Sequence, residues 1–126
     1  MNSDLAGLEC VPCKSGIPPM QGNELASWAK RLGGDWQVVD GHHLAKDFHC
    51  KDFRQALAFT NQVGELAEAV NHHPDLGLSW GRVQVTVWTH KINGLSETDF
   101  VFAAKVDALR SSPGNPPDGV QGFSRD

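Results

Sequence analysis

Leu76-Gly77-Leu78-Ser79-Trp80-Gly81-Arg82-Val83-Gln84-Val85-Thr86-Val87-Trp88-Thr89-His90 reads as two strands folded back on each other. Val83, Val85 and Val87 alternate with Gln84, Thr86 and Trp88, the two-residue period of a strand with one apolar face. Gly81-Arg82 supplies the turn between strands at 76–80 and 83–90. Upstream, residues 36–39 and 42–50 flank Asp40-Gly41, a strong signal for a two-residue hairpin turn. Leu44, Phe48 and Cys50 share a parity and are expected to face the core.

Helices fill the spaces around the hairpins. Asp52 can cap a long helix while Gln55 reaches back to it. Phe53, Ala56, Phe59, Val63, Leu66 and Val70 form one apolar stripe along that helix. Pro74 marks its end, because a proline pushes the preceding residue out of helical geometry. Asn23 can cap an earlier helix carrying Leu25, Trp28, Ala29 and Leu32, with Gly33-Gly34 as its stop. Ser96 can cap a last one carrying Phe100, Ala103, Ala104 and Leu109. The order is α-β-β-α-β-β-α. It predicts a two-layer α+β domain, a four-stranded antiparallel sheet with helices on one face.

The chain of 126 residues suits one domain. Residues 1–20 read as an irregular leader, 21–110 as the folded domain and 111–126 as a disordered tail rich in Pro, Gly and Ser. Its hydrophobic content of 40% and charged content of 21% are those of a soluble globular protein. A net charge of −4 argues against direct nucleic-acid binding. No apolar run is long enough for a membrane span, and the leader lacks a signal-peptide core, so a cytoplasmic location is expected. Three cysteines do not suit a disulfide framework. Cys10-Val11-Pro12-Cys13 is a C-x-x-C pair set in the leader, where redox versions of that motif do not sit. A zinc site there would need two further ligands.

Three of the six histidines gather beside two carboxylates: Glu68, His72-His73-Pro74, Thr89-His90 and Asp99. Imidazole gives and takes protons around neutrality, so this grouping points to proton transfer on a small molecule. Glu68 and His72 are four apart and can share a helix face. Ser96-Glu97-Thr98-Asp99 also fits a capping box, which leaves Asp99 divided between a structural and a site role. Trp80 and Trp88 suit packing, although a flat ligand ring could stack on one of them. His42, His43 and His49 read as hairpin residues. A metal hydrolase would need a helical ligand spacing such as H-E-x-x-H, which the sequence lacks.

Glu68, Ala69, Val70, Asn71, His72, His73, Pro74, then Trp80, Val83, Val85, Thr89, His90, Gly94, Leu95, Ser96 and Asp99 together resemble the pterin-4a-carbinolamine dehydratase family. The likeness runs from about Trp36 to Val106, and the leader is similar to that of bacterial-type members. Cys50 departs from it, standing where many relatives carry an aromatic. The resemblance implies the same α+β fold and removal of water from 4a-hydroxytetrahydrobiopterin, giving quinonoid dihydropterin for cofactor recycling. It implies catalytic roles for His72, His73 and His90, with His72 as acid and Glu68 orienting it. Glu68, Asp99 and Trp80 are the accompanying substrate-binding candidates. The resemblance further implies a pterin as the small-molecule partner, no metal or other cofactor, and a homo-oligomer, dimer or tetramer. An alternative on the same fold is a non-catalytic binding partner, a transcriptional coactivator or an assembly factor.

Overall fold

The computed structural model describes residues 4–7 and 18–111. The Cys10–Cys13 pair and residues 112–126 of the expected tail lie outside the described residues. In chain order the elements are α1 (Gly22–Leu32), β1 (Gln37–Val39), β2 (His43–His49), α2 (Phe53–Val70), β3 (Asp75–Ser79), β4 (Arg82–Val87) and α3 (Glu97–Ser111). Short 3₁₀ turns occupy Asp4–Gly7 and His90–Ile92. The four strands form one antiparallel sheet in the order β1-β2-β4-β3. The α+β architecture expected from the hairpins and helical stripes is the one observed.

Strand alternation explains the core. Leu44 pairs with Val87 and Phe48 with Val83, and all four side chains are buried beneath the helices. From α2, Ala56, Phe59, Val63 and Ala67 complete that layer. Each fully buried side chain of the size of Phe59 or Val63 stabilises the fold by about 1.5–3 kcal/mol. Lys46 shares the core parity of Leu44 and Phe48, and it is tolerated there through a partner. Its Nζ donates to Asp107 Oδ1 of α3 at 2.8 Å, and Trp36 Nε1 donates to Asp107 Oδ2 at 3.1 Å. The pair thus pins β2 and the start of β1 to α3.

Several boundaries differ from those the sequence predicts. The first helix begins at Gly22 with Gln21 as its cap, so Asn23 lies inside the helix. The capping role of Asp52 is present, its Oδ1 accepting from Gln55 N–H at 2.9 Å. Phe53 heads the expected stripe yet is 44% exposed, so the buried face of α2 starts at Ala56. The second hairpin turns at Trp80-Gly81, one residue earlier than expected, since Gly81 takes a φ of 72° that a turn's second position favours. Arg82 therefore belongs to β4, paired with His49 and Ser79. β2 ends at His49, leaving Cys50 as a partly buried connector whose N–H donates to Gly81 O at 2.8 Å.

The leader is not wholly irregular. Its 3₁₀ turn places Leu5 at 0% exposure against α1 and α3, within the main core. Met20 is also buried, and its N–H donates to Leu95 O at 2.8 Å. A Cβ at Gly94 would meet Pro19 Cβ at 2.6 Å, so that close approach requires glycine.

Candidate active site

Asn71 ends α2 in the left-handed region, with φ 56° and ψ 45°. Asparagine adopts that conformation more readily than most residues, so the helix stops there and not at Pro74. This reversal changes the partner of each histidine. His72 turns to α3, where its Nε2–H donates to Asp99 Oδ1 at 2.7 Å. His73 takes Glu68 instead, Nε2 to Oε2 at 2.7 Å. The expected Glu68–His72 pair therefore gives way to two separate histidine–carboxylate pairs.

The environments of the pairs differ sharply. His72 and Asp99 side chains are 14% and 0% exposed, while His73 and Glu68 are 53% and 79% exposed. Asp99 Oδ2 accepts Ser96 N–H at 2.9 Å and Thr89 Oγ1–H at 2.7 Å. Thr89 has a single hydroxyl hydrogen, so its contact with Ser96 Oγ at 2.9 Å is donated by the serine. Asp99 is thus both the capping-box carboxylate of α3 and the acceptor for His72. Both side-chain oxygens of Asp99 are engaged and its side chain has no exposed surface.

This carboxylate draws three elements to one point. His72 follows α2, Ser96 precedes α3, and Thr89 follows β4. His90 comes directly after Thr89, in a 3₁₀ turn and not at a strand end, since β4 stops at Val87. Thr89 and Gly94 bridge the base of that turn, with Thr89 N–H donating to Gly94 O at 2.8 Å. The His90 ring is stacked on Trp88, with centroids 4.4 Å apart and planes 16° apart. His72 is walled by the buried ring of Phe102, centroids 5.8 Å apart.

Trp80 is not brought to this group. It is 72% exposed in the β3–β4 turn, at the far end of a strand that starts beside the His72-His73-Pro74 segment. Five strand residues at ~3.3 Å each put it roughly 16 Å away. Trp88 is the tryptophan at the histidine end. Thr89 was legible in the sequence as a motif residue, but its role depends on being a buried hydroxyl at 4% exposure. No spacing rule reports that. Among the described residues, no group of three or more His, Cys, Asp or Glu is arranged to hold a metal ion.

A buried aspartate on one ring nitrogen fixes an imidazole's tautomer and orientation. With Nε2–H on Asp99, Nδ1 is the His72 ring nitrogen left to hold or release a proton. His73 has the same arrangement on an exposed carboxylate. The set can move protons on a bound molecule.

The chain matches the family model for pterin 4 alpha carbinolamine dehydratase over residues 18–109. It is 61% identical over 107 residues to a Rubrobacter xylanophilus protein named "Putative pterin-4-alpha-carbinolamine dehydratase", covering 85% of this chain and 99% of that one. The crystal structure of a transcriptional coactivator/pterin dehydratase from Brucella melitensis superposes with a TM-score of 0.66 at 36% identity. That likeness covers 71% of this chain and 96% of the other. A pterin dehydratase-like protein described as a RuBisCO assembly factor in the alpha-carboxysome gives a TM-score of 0.51 at 28% identity. It covers 61% of this chain and 88% of that one.

Proposed function

Because the chain belongs to the pterin-4a-carbinolamine dehydratase family, we propose that it dehydrates 4a-hydroxytetrahydrobiopterin to quinonoid dihydropterin by histidine acid/base catalysis. The observation that supports this most is the buried His72–Asp99 pair, joined through Thr89 to the segment carrying His90. Hydroxide is a poor leaving group, so an acid must protonate it as the C4a–O bond breaks. His72 serves as that acid from Nδ1, its ring held in place by the Nε2–H bond to Asp99. The N5 proton must also leave, and His90 takes it. His73, held by Glu68, positions the pterin. Each positioned proton transfer contributes typically ~10²–10⁴-fold.

The protein acts as a homo-oligomer, dimer or tetramer, in the cytoplasm. Support comes from β3, an open sheet edge, and from Phe53, Leu57, Leu78 and Trp80, large apolar side chains left exposed on or beside α2 and β3. No helix among the described residues is long and apolar enough to cross a membrane.

Stopped-flow decay of freshly generated 4a-hydroxytetrahydrobiopterin tests the reading. Decay should accelerate with protein concentration and persist in EDTA. Decay no faster than buffer turns the assignment to the second reading, a non-catalytic assembly or coactivator role. That second reading is favoured by the likeness to the carboxysome assembly factor.

A further inference from the structure

His42 and His43 lie outside the site motif in sequence, and the first hairpin returns them to its edge. Asp40 and Gly41 have φ of 56° and 63°, and His42 N–H closes the turn on Val39 O at 2.9 Å. The ladder nevertheless pairs Val39 with His43, which leaves His42 as an extra residue between turn and strand. A bulge of this kind releases a side chain from strand alternation and re-aims it. Both imidazoles accordingly lie against Trp88, with centroids 5.2 and 5.8 Å from the indole. His90 covers the same indole as a parallel stack.

A hydrogen bond ties the cluster to the 3₁₀ turn as well. His42 Nε2 meets Asn93 Oδ1 at 2.9 Å, and Asn93 closes that turn with φ 54° and ψ 47°. An amide oxygen only accepts, so His42 Nε2 carries the proton. Nδ1 of the neutral His42 ring is then bare and accepts from His43 Nδ1–H at 3.1 Å. Each contact therefore has one consistent donor.

We propose that His42 is a positioning residue for His90, acting through the Trp88 indole and the Asn93 side chain. His90 is exposed, and among the described residues its ring is oriented by the stack on Trp88. A catalytic group must be held within ~0.5 Å and ~10–20° of its working geometry by neighbours that are themselves locked. The His42–Asn93 bond holds the end of the turn, and His42 with His43 holds the indole. The consequence for turnover rests on the dehydratase reading; the contact itself does not.

The test pairs ring-proton NMR of His90 with stopped-flow dehydration in wild type, His42→Ala, His42→Gln and Trp88→Leu. Wild-type His90 ring signals should be displaced upfield by the indole, and Trp88→Leu should abolish the displacement. His42→Ala should move the same signals toward those of a free imidazole. It should lower kcat ~5-fold with KM unchanged, the scale of one hydrogen bond. His42→Gln keeps an N–H for Asn93 and should recover most of both effects, and melting temperatures should not change between wild type and the two His42 variants. His90 signals that stay at wild-type positions in His42→Ala overturn the proposal. If the wild type shows no dehydration while the His90 signals still follow His42, the dehydratase reading fails and the positioning contact stands.

Discussion

His72 and His73 are neighbours in the chain, yet each is paired in a different medium. Asp99 loses its hydration on folding and is compensated by His72, Thr89 and Ser96. Removing one partner of such a buried pair costs more than the pair itself contributes, because a desolvated charge is left behind. Asp99→Asn sets an amide N–H against one of these donors and should lower stability by about 1–3 kcal/mol in urea denaturation. It should also lower kcat by ~10²-fold or more, since an amide cannot hold the same imidazole tautomer. Glu68→Gln should leave stability within about 0.5 kcal/mol, as expected of an exposed pair. Equal stability losses in the two variants would contradict this division. His72→Ala should lower both quantities as well, because it strands the buried carboxylate. That outcome was not legible in the sequence, where a cleft histidine reads as a side chain whose loss spares the fold.

The helix that carries these residues shows why local patterns reached the elements but missed the pairing. Periodicity located α2 and Asp52 located its start, because both signals depend on residues close in sequence. The end depended on a competition. Pro74 constrains its immediate predecessor, so it is compatible with a helix ending anywhere before His73. Asn71 wins by entering the left-handed region three residues earlier, and its N–H bonds back to Ala67 O. That single residue rotates His72 away from Glu68 and toward α3. A non-glycine residue without asparagine's local hydrogen bonding costs roughly 1–2 kcal/mol in this conformation. Asn71→Val should lose that amount and also lower kcat, because both histidines follow directly. Asn71→Gly should retain stability and most of the turnover. Equal urea midpoints for the two variants would mean that the left-handed cap does not set the helix end. The same reasoning covers the β3–β4 turn, where Gly81 overrode the expected position of Arg82.

At the scale of the whole molecule, the site depends on a segment far from it in sequence. Pro19 packs on Gly94 and Met20 bonds Leu95, directly before Ser96, whose N–H donates to the Asp99 that receives His72. Further upstream, Leu5 fills the core against α1 and α3. Lone apolar residues in a leader rich in Pro and Gly carry no period, so residues 1–20 read from the sequence as an irregular leader. Burial makes part of that leader structural. Truncating a fully buried leucine costs about 2–5 kcal/mol, the lost transfer energy plus the cavity left behind. Leu5→Ala should lower the melting temperature accordingly, and deletion of residues 1–7 should lower it at least as far. Both proteins should retain wild-type kcat and KM at temperatures where they remain folded, because His72 is held by Asp99 and His90 is stacked on Trp88. Deletion through Met20 should differ in kind. It removes the contacts on Gly94 and Leu95, and kcat should fall even where circular dichroism shows a folded chain. An unchanged melting temperature in Leu5→Ala would show that the 3₁₀ turn adds nothing to the core, and full activity after deletion through Met20 would show that the Gly94–Leu95 loop holds its shape unaided.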